Sequence, residues 1–90
     1  MHEMSLMRGL MRQIESLAER EGAQAVTSIR LRLGALSHFS PEHFREHFAQ
    51  VAPGTRAAGA TLEITTSDDV HDPHAQDVLI ESVEVEVEAD

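Results

Sequence analysis

The sequence predicts an α+β fold in which two helices pack on one face of a small three-stranded mixed sheet, in the order helix, strand, helix, strand, strand. Three observations support this class: two segments with helical apolar spacing, three segments of alternating apolar residues, and glycine or proline between them. Each amphipathic helix needs a sheet face to cover its apolar stripe. A chain of 90 residues has room for one such core, so we predict a single domain over residues 1–90.

The first helix is predicted over residues 3–21. Its apolar residues recur at spacings of three and four, which places them on one helical face. They are Leu6, Leu10, Ile14, Leu17 and Ala18, with Met7 and Met11 widening the stripe. Gly22 follows the last turn, and a glycine at that position readily adopts the left-handed conformation that ends a helix.

The second helix is predicted to begin at Ser40-Pro41-Glu42. Serine is a good N-cap, proline is tolerated at the first helical position, and glutamate suits the positive end of a helix. Phe44, Phe48 and Val51 give this helix an apolar face. Pro53-Gly54-Thr55 is a turn sequence, so we expect the helix to end before it.

Three segments alternate between apolar and polar residues, as strands with one covered face do. They are residues 27–33, 60–65 and 78–88. In the last segment Val78 and Ile80 occupy even positions whereas the later valines occupy odd ones, which predicts a β-bulge near Glu81-Ser82. Residues 67–77 are polar and are predicted to form a loop or an extended hairpin connection.

The formal net charge of −9 argues against nucleic acid or an anionic membrane surface as a partner, since both would repel the chain on average. No apolar stretch approaches the roughly 20 residues that span a bilayer. The N-terminus has neither the basic segment nor the continuous apolar run of a signal peptide. These features predict a cytoplasmic protein that does not associate with membranes.

The chain contains no cysteine, which excludes disulfides, a thiol nucleophile and any cysteine-ligated zinc or iron–sulfur site. Ser37 and Ser40 lie near His38, but no acidic partner or oxyanion-hole motif accompanies them, and His38 is predicted to be a surface turn residue. The five glycines lack the spacing of a phosphate-binding loop. We therefore predict that the protein is not an enzyme.

Met1-His2-Glu3 is the most unusual feature of the chain. Nickel(II) suits a planar set of nitrogen ligands, and a histidine at the second position offers the free amine, its own amide and its imidazole together. Glu3 or its backbone could complete the set, and its carboxylate would offset the helix dipole. On these residues alone a frayed terminal histidine is the simpler interpretation, and both interpretations stay open at this point.

Two histidine pairs are further candidates for metal binding. His71 and His74 flank Asp72-Pro73, so two imidazoles and a carboxylate that could bind nickel or zinc weakly lie within four residues. His43 and His47 are separated by four positions on the second helix and could share a metal. Polar loops often contain His and Asp without a ligand, and the helical pair borders the buried face, so a purely structural role is the simpler interpretation of each.

The opening MHEMSL resembles the start of the HypA/HybF family, the nickel metallochaperones that help mature nickel–iron hydrogenases and, in some organisms, urease. The resemblance continues in order over nearly the whole chain, except residues 67–77. It includes residues 31–37, Ser40-Pro41-Glu42, Gly54-Thr55, residues 59–64 and residues 83–86. It implies a nickel-binding domain in which His2 matches the nickel-binding histidine and Glu3 its acidic neighbour.

Members of that family carry a zinc-binding insertion built on two cysteine-containing pairs between the last two strands, where this chain has only the short loop at residues 67–77. The resemblance therefore implies nickel(II) but no structural zinc held by cysteine. It also implies two partners, a GTPase accessory maturation protein and the hydrogenase large-subunit precursor. The alternative function is an interaction module that docks to the maturation machinery without carrying metal. The shortened connection also allows a homodimer formed by exchange of the terminal strand.

Overall fold

A computed structural model describes residues 3–88, apart from the side chain of Glu3. This part of the chain forms α1 (Glu3–Arg20), β1 (Ala25–Leu33), α2 (Pro41–Val51), β2 (Thr61–Thr66) and β3 (Val78–Glu86). The predicted order of elements is confirmed, and no boundary lies more than two residues from its predicted position. The apolar faces of both helices pack against the three-stranded mixed sheet, so the predicted α+β class is confirmed as well.

The central strand of the sheet is β1. It pairs in parallel with β2, with Ile29 opposite Leu62, and antiparallel with β3, with Ile29 opposite Val83. β2 and β3 therefore lie on opposite edges of the sheet. Residues 67–77 cross the end of β1 to join them, so the hairpin alternative for this connection was wrong, because β3 pairs with β1 and not with β2.

The predicted β-bulge in β3 is confirmed. Arg30 of β1 lies opposite Ser82, whereas the next residue, Leu31, lies opposite Ile80, so Glu81 is the extra residue. A strand turns its side chains to alternate faces at each residue. The extra residue therefore lets the apolar residues of both halves of β3 face the helices.

The core lies between the helices and β1, and all buried side chains in the described residues are apolar. Its largest fully buried members are Met7, Val26, Ile29, Leu31, Leu33 and Phe44. Phe39 packs edge-on against Phe44, with 6.0 Å between the ring centroids. Neither of the described helices combines the length and hydropathy that a bilayer-spanning helix requires.

A carboxylate of α1 binds the segment that follows α2 at one end of the sheet. Glu15 accepts the backbone N–H of Arg56 at 2.7 Å and its guanidinium at 2.8 Å. Arg56 follows α2, and its carbonyl oxygen accepts the N–H of Val26, near the start of β1, at 2.8 Å. The C-terminal halves of both helices therefore lie near the start of β1, and their N-terminal ends point toward its end.

We predict that Glu15→Ala lowers the free energy of unfolding by about 1–2 kcal/mol, because the half-buried N–H of Arg56 loses a charged acceptor. Glu19→Ala, on the exposed side of α1, is the matched control and should change stability by less than about 0.5 kcal/mol. Urea unfolding followed by circular dichroism measures both variants. Equal losses of stability in the two variants would contradict the role given to Glu15.

Candidate metal centre

One end of the sheet gathers the first turns of both helices and two irregular segments. β1 and β2 both finish at this end because they are parallel, and β3 starts there because it is antiparallel to β1. α1 runs back along β1, and its 18 residues span roughly 27 Å, close to the length of β1. We call residues 34–40 and 67–77, together with the first turns of α1, the histidine end, because His38, His71 and His74 lie in it.

An open cavity lies between α1 and the two irregular segments of the histidine end. Ser5, Leu6 and Gly9 of α1 form one wall, and residues 37–39 and 76–79 form the other. The lining includes the imidazole-bearing residue His38 and the acidic residue Asp77. The fold thus brings a histidine and a carboxylate that are far apart in the sequence next to the beginning of α1.

His38 is exposed, as predicted for a turn residue, but it also borders this cavity. Its backbone has a positive φ of 65°, the left-handed conformation that histidine adopts more often than most other residues. No periodic pattern in the sequence marks it as a site residue. Its position depends on the path that residues 34–40 take from the end of β1 to α2, which only the folded chain reveals.

The loop containing His71 and His74 is shaped by its own aspartates. Oδ1 of Asp69 accepts the backbone N–H of His71 at 3.0 Å, and Oδ1 of Asp72 accepts that of His74 at 2.8 Å. The second carboxylate oxygen of Asp72 lies 3.6 Å from the guanidinium of Arg32. Asp72, the carboxylate considered with this histidine pair, therefore stabilises the turn and contacts β1.

The imidazole of His74 has a carboxylate neighbour outside that turn. Its Nδ1 atom lies 3.0 Å from Oδ2 of Asp77, a residue that lines the cavity. Both side chains are more than half exposed, so this contact orients the ring without removing it from solvent. A carboxylate that contacts one imidazole nitrogen fixes the ring orientation and leaves the other nitrogen for a ligand.

Backbone contacts with Gly34 hold this loop against the end of β1. The N–H of Gly34 donates to the carbonyl oxygen of Asp77 at 2.9 Å, and that of Leu36 donates to the carbonyl oxygen of Ala75 at 2.7 Å. A Cβ atom at Gly34 would overlap the carbonyl group of Ala75. The two irregular segments can approach this closely only because residue 34 is glycine.

The predicted N-terminal site extends beyond the described residues. Met1 and His2 lie outside the described residues, and Glu3 is the first residue of α1. On α2 the rings of His43 and His47 stack, with 6.2 Å between their centroids and 11° between their planes. Across residues 3–88, no three histidine, aspartate or glutamate side chains converge on a point where they could hold a metal ion. The pair His71 and His74 therefore stays a predicted two-imidazole site.

The fold and the histidine end define a class of protein: a small two-layer α+β domain that presents imidazole side chains beside the start of its first helix. Residues 1–75 match the family model described as hydrogenase/urease nickel incorporation, metallochaperone, hypA. The chain therefore belongs to the HypA family. The match includes Met1-His2-Glu3 and ends within the connection between β2 and β3.

Two relatives support this assignment, and a solved structure shares the fold. The hydrogenase maturation factor HypA of Archaeoglobus fulgidus is 42% identical over 65 residues, covering 72% of this chain and 59% of that protein. Its counterpart in Dechloromonas aromatica is 44% identical over 64 residues, covering 71% and 57%. The match thus spans less than three fifths of each relative's length. The solution structure of the nickel metallochaperone HypA from Helicobacter pylori shares the fold, with a TM-score of 0.81 and 17% identity over 98% of this chain and 100% of that chain.

We predict that Gly34→Ala lowers the free energy of unfolding by about 1–3 kcal/mol, because the added Cβ forces residues 74–77 away from β1. Gly9→Ala is the matched control, since a Cβ there meets only the side-chain Nη2 of Arg12 at 3.8 Å. Alanine should stabilise the helix at that position by roughly 0.8–1 kcal/mol. Thermal unfolding and amide hydrogen exchange measure the two effects. Unchanged exchange at residues 74–77 in Gly34→Ala would contradict this close approach.

Proposed function

We propose that this chain is a nickel(II)-binding metallochaperone or scaffold that assists nickel insertion during maturation of nickel–iron hydrogenase. The observation that carries the proposal is the family match over residues 1–75, which includes Met1-His2-Glu3. The family consists of metallochaperones, so the proposed role is to carry nickel and not to catalyse a reaction. Nickel is the cargo, and binding and release are the steps that the protein's own residues must perform.

The proposed nickel site is the N-terminal sequence itself. The free amine of Met1, the backbone nitrogen of His2 and the imidazole of His2 supply three nitrogen donors from adjacent residues. Nickel(II) favours a square-planar nitrogen-rich set, and a deprotonated amide belongs to such a set. A donor set drawn from adjacent residues needs no other element of the fold to be in place. Its formation is therefore compatible with the lack of a three-residue metal cluster in residues 3–88.

Glu3 has a second role in this proposal. It is the first residue of α1, where the unpaired N–H groups give the helix a partial positive charge that opposes a cation. The carboxylate of Glu3 offsets that charge. It can also supply an oxygen ligand to the nickel ion or adjust the affinity of the nitrogen donors for it. A site that includes a chain terminus can exchange its ligands one at a time, which suits transfer to an acceptor better than a buried cage.

The histidine end offers a second and weaker site. His71 and His74 are exposed, and the contact between His74 and Asp77 orients one imidazole beside the cavity that His38 also lines. Two imidazoles without a third protein ligand leave several coordination positions to water, so we propose weak nickel or zinc binding there. This pair would hold nickel briefly near the first turns of α1.

Family membership and composition support further proposals on zinc, partners and location. No cysteine is present, so the proposed function includes no structural zinc held by cysteine, and residues 67–77 stand where the family's zinc-binding insertion would lie. The proposed partners are a GTPase accessory maturation protein and the hydrogenase large-subunit precursor, in the cytoplasm. Neither nucleic acid nor a membrane is proposed as a partner. A homodimer formed by exchange of β3 stays a prediction that light scattering can test.

The second candidate function is an interaction module that docks to the maturation machinery without carrying metal. One observation favours it: the chain has no cysteine, so it lacks the zinc site that the family's insertion carries while keeping the family's fold. The two functions differ at His2. A carrier needs the His2 imidazole for maturation, whereas a docking module retains its activity when that imidazole is removed.

We predict that the untagged chain binds one nickel(II) ion at high affinity with a planar-type absorption spectrum. His2→Ala should weaken binding at this site at least about 100-fold, because it removes one donor of a chelate. Isothermal titration calorimetry and absorption spectra of the wild type and of His2→Ala make the measurement. The matched control is the double variant His71→Ala/His74→Ala, which should keep the high-affinity site. A wild type that binds no nickel, with maturation intact in His2→Ala, would favour the docking module.

A further inference from the structure

A groove between α1 and β3 is left open by the fold. Gly9, Gln13, Ser16 and Leu17 line one side of it, and Ile80 and Val83 of β3 line the other. Ile80 lies opposite Leu31 of β1, and Val83 lies opposite Ile29. The two β1 residues are at most 1% exposed, whereas Ile80 and Val83 are only half-buried, although they face the same helix layer. The edge strand β3 thus presents apolar surface that α1 and α2 do not cover.

Gly9 lies on the α1 side of this groove. It lies in the interior of α1, where glycine destabilises a helix relative to alanine. A Cβ at this position would have ordinary space, since only Nη2 of Arg12 comes within 4 Å, at 3.8 Å. Packing within the described residues therefore does not require a glycine here. A missing side chain on an open helix face lets another backbone approach closely.

The charges around the groove are opposite to those of the chain as a whole. Arg12 and Arg20 line it, and no acidic residue does, although the chain carries a formal charge of −9. Within residues 3–88 neither of these arginines forms an ion pair. The arginines that do form ion pairs, each with a carboxylate, are Arg30, Arg32 and Arg56. The groove therefore keeps two positive charges available for an acidic partner.

We propose that this groove binds an amphipathic helix of a partner protein whose apolar stripe is flanked by carboxylates. Gly9, Gln13, Ser16 and Arg20 follow one another at helical spacings of three and four, so they form a single ridge over three turns of α1. A partner helix along this ridge covers Leu17, Ile80 and Val83 with its apolar stripe. Its flanking carboxylates then reach the guanidinium groups of Arg12 and Arg20.

Two other occupants account for fewer of these observations. A second copy of the chain carries the same charge of −9, and the apolar faces of its two helices are already buried. An extended segment added to the open edge of β3 would lie beside Glu81 and Glu84 and would not use the space at Gly9. The helix accounts for the glycine, the arginines and the uncovered β3 residues together.

The test uses the full chain, labelled with nitrogen-15, and two synthetic helical peptides with the same leucine stripe. One peptide carries glutamate on both sides of the stripe and the other carries lysine. We expect the acidic peptide to bind at least about tenfold more tightly at low salt and to shift amide signals of residues 9–20 and 80–83. Arg12→Glu/Arg20→Glu should reverse the preference between the two peptides. No nickel is present, so the result does not depend on the proposed nickel site.

Gly9→Ala gives the sharpest distinction between a structural role and a binding role. It should raise the melting temperature by about 4 °C or more, because alanine favours the helix over glycine. It should also lower the affinity for the acidic peptide several-fold, because the added Cβ stands where the partner backbone approaches. Glu19→Ala, outside the groove, is the control and should leave affinity unchanged. Equal affinity for both peptides, signal shifts elsewhere, or unchanged affinity in Gly9→Ala would each overturn the proposal. So would self-association that shifts the same residues without peptide, since a second copy would then be the occupant.

Discussion

The burial of β1 is the constraint on which the rest of the domain depends. It is the only described strand that pairs on both sides, and Val26, Ile29, Leu31 and Leu33 on its covered face are at most 2% exposed. Full burial of branched apolar side chains is the main favourable contribution in a core that has so few aromatic residues. Both helices must therefore lie on the same face of the sheet. The opposite face, with Arg30 and Arg32, remains polar and open to solvent.

The direction of the strands relative to β1 decides where the histidines gather. A parallel β1–β2 pair needs a crossover, which α2 supplies, and an antiparallel β3 needs the chain to cross the end of β1. Both requirements bring irregular backbone to the same end of the sheet. Gly34 then lets these segments contact each other through main-chain hydrogen bonds. His38 and Asp77 become neighbours of the same cavity as a result of topology, without any local sequence motif.

The elements were predictable from the sequence because their signals are local. Helical spacing, alternation, the Ser40-Pro41 start of α2 and even the parity change at Glu81 depend on neighbours within a few residues. The path of residues 67–77 was not predictable, since a polar loop does not reveal which strand the following segment will join. The position of His38 was missed for the same reason. His2 stands apart, because its proposed chemistry depends on the terminal sequence and on family membership more than on the fold.

The groove and the histidine end form one continuous surface, and this continuity bears on how nickel could be transferred. Gly9 and Gln13 line both the groove and the cavity that His38 borders, so the surface extends along α1 from Arg20 to the turns that follow Glu3. A partner helix held in the groove would lie along α1, whose first residue, Glu3, directly follows the proposed nickel ligand His2 in the sequence. Transfer would then depend on a high local concentration of acceptor ligands and not on a large difference in affinity. If both proposals hold, docking through α1 would select the acceptor, and an easily exchanged terminal site would be adequate for the transfer.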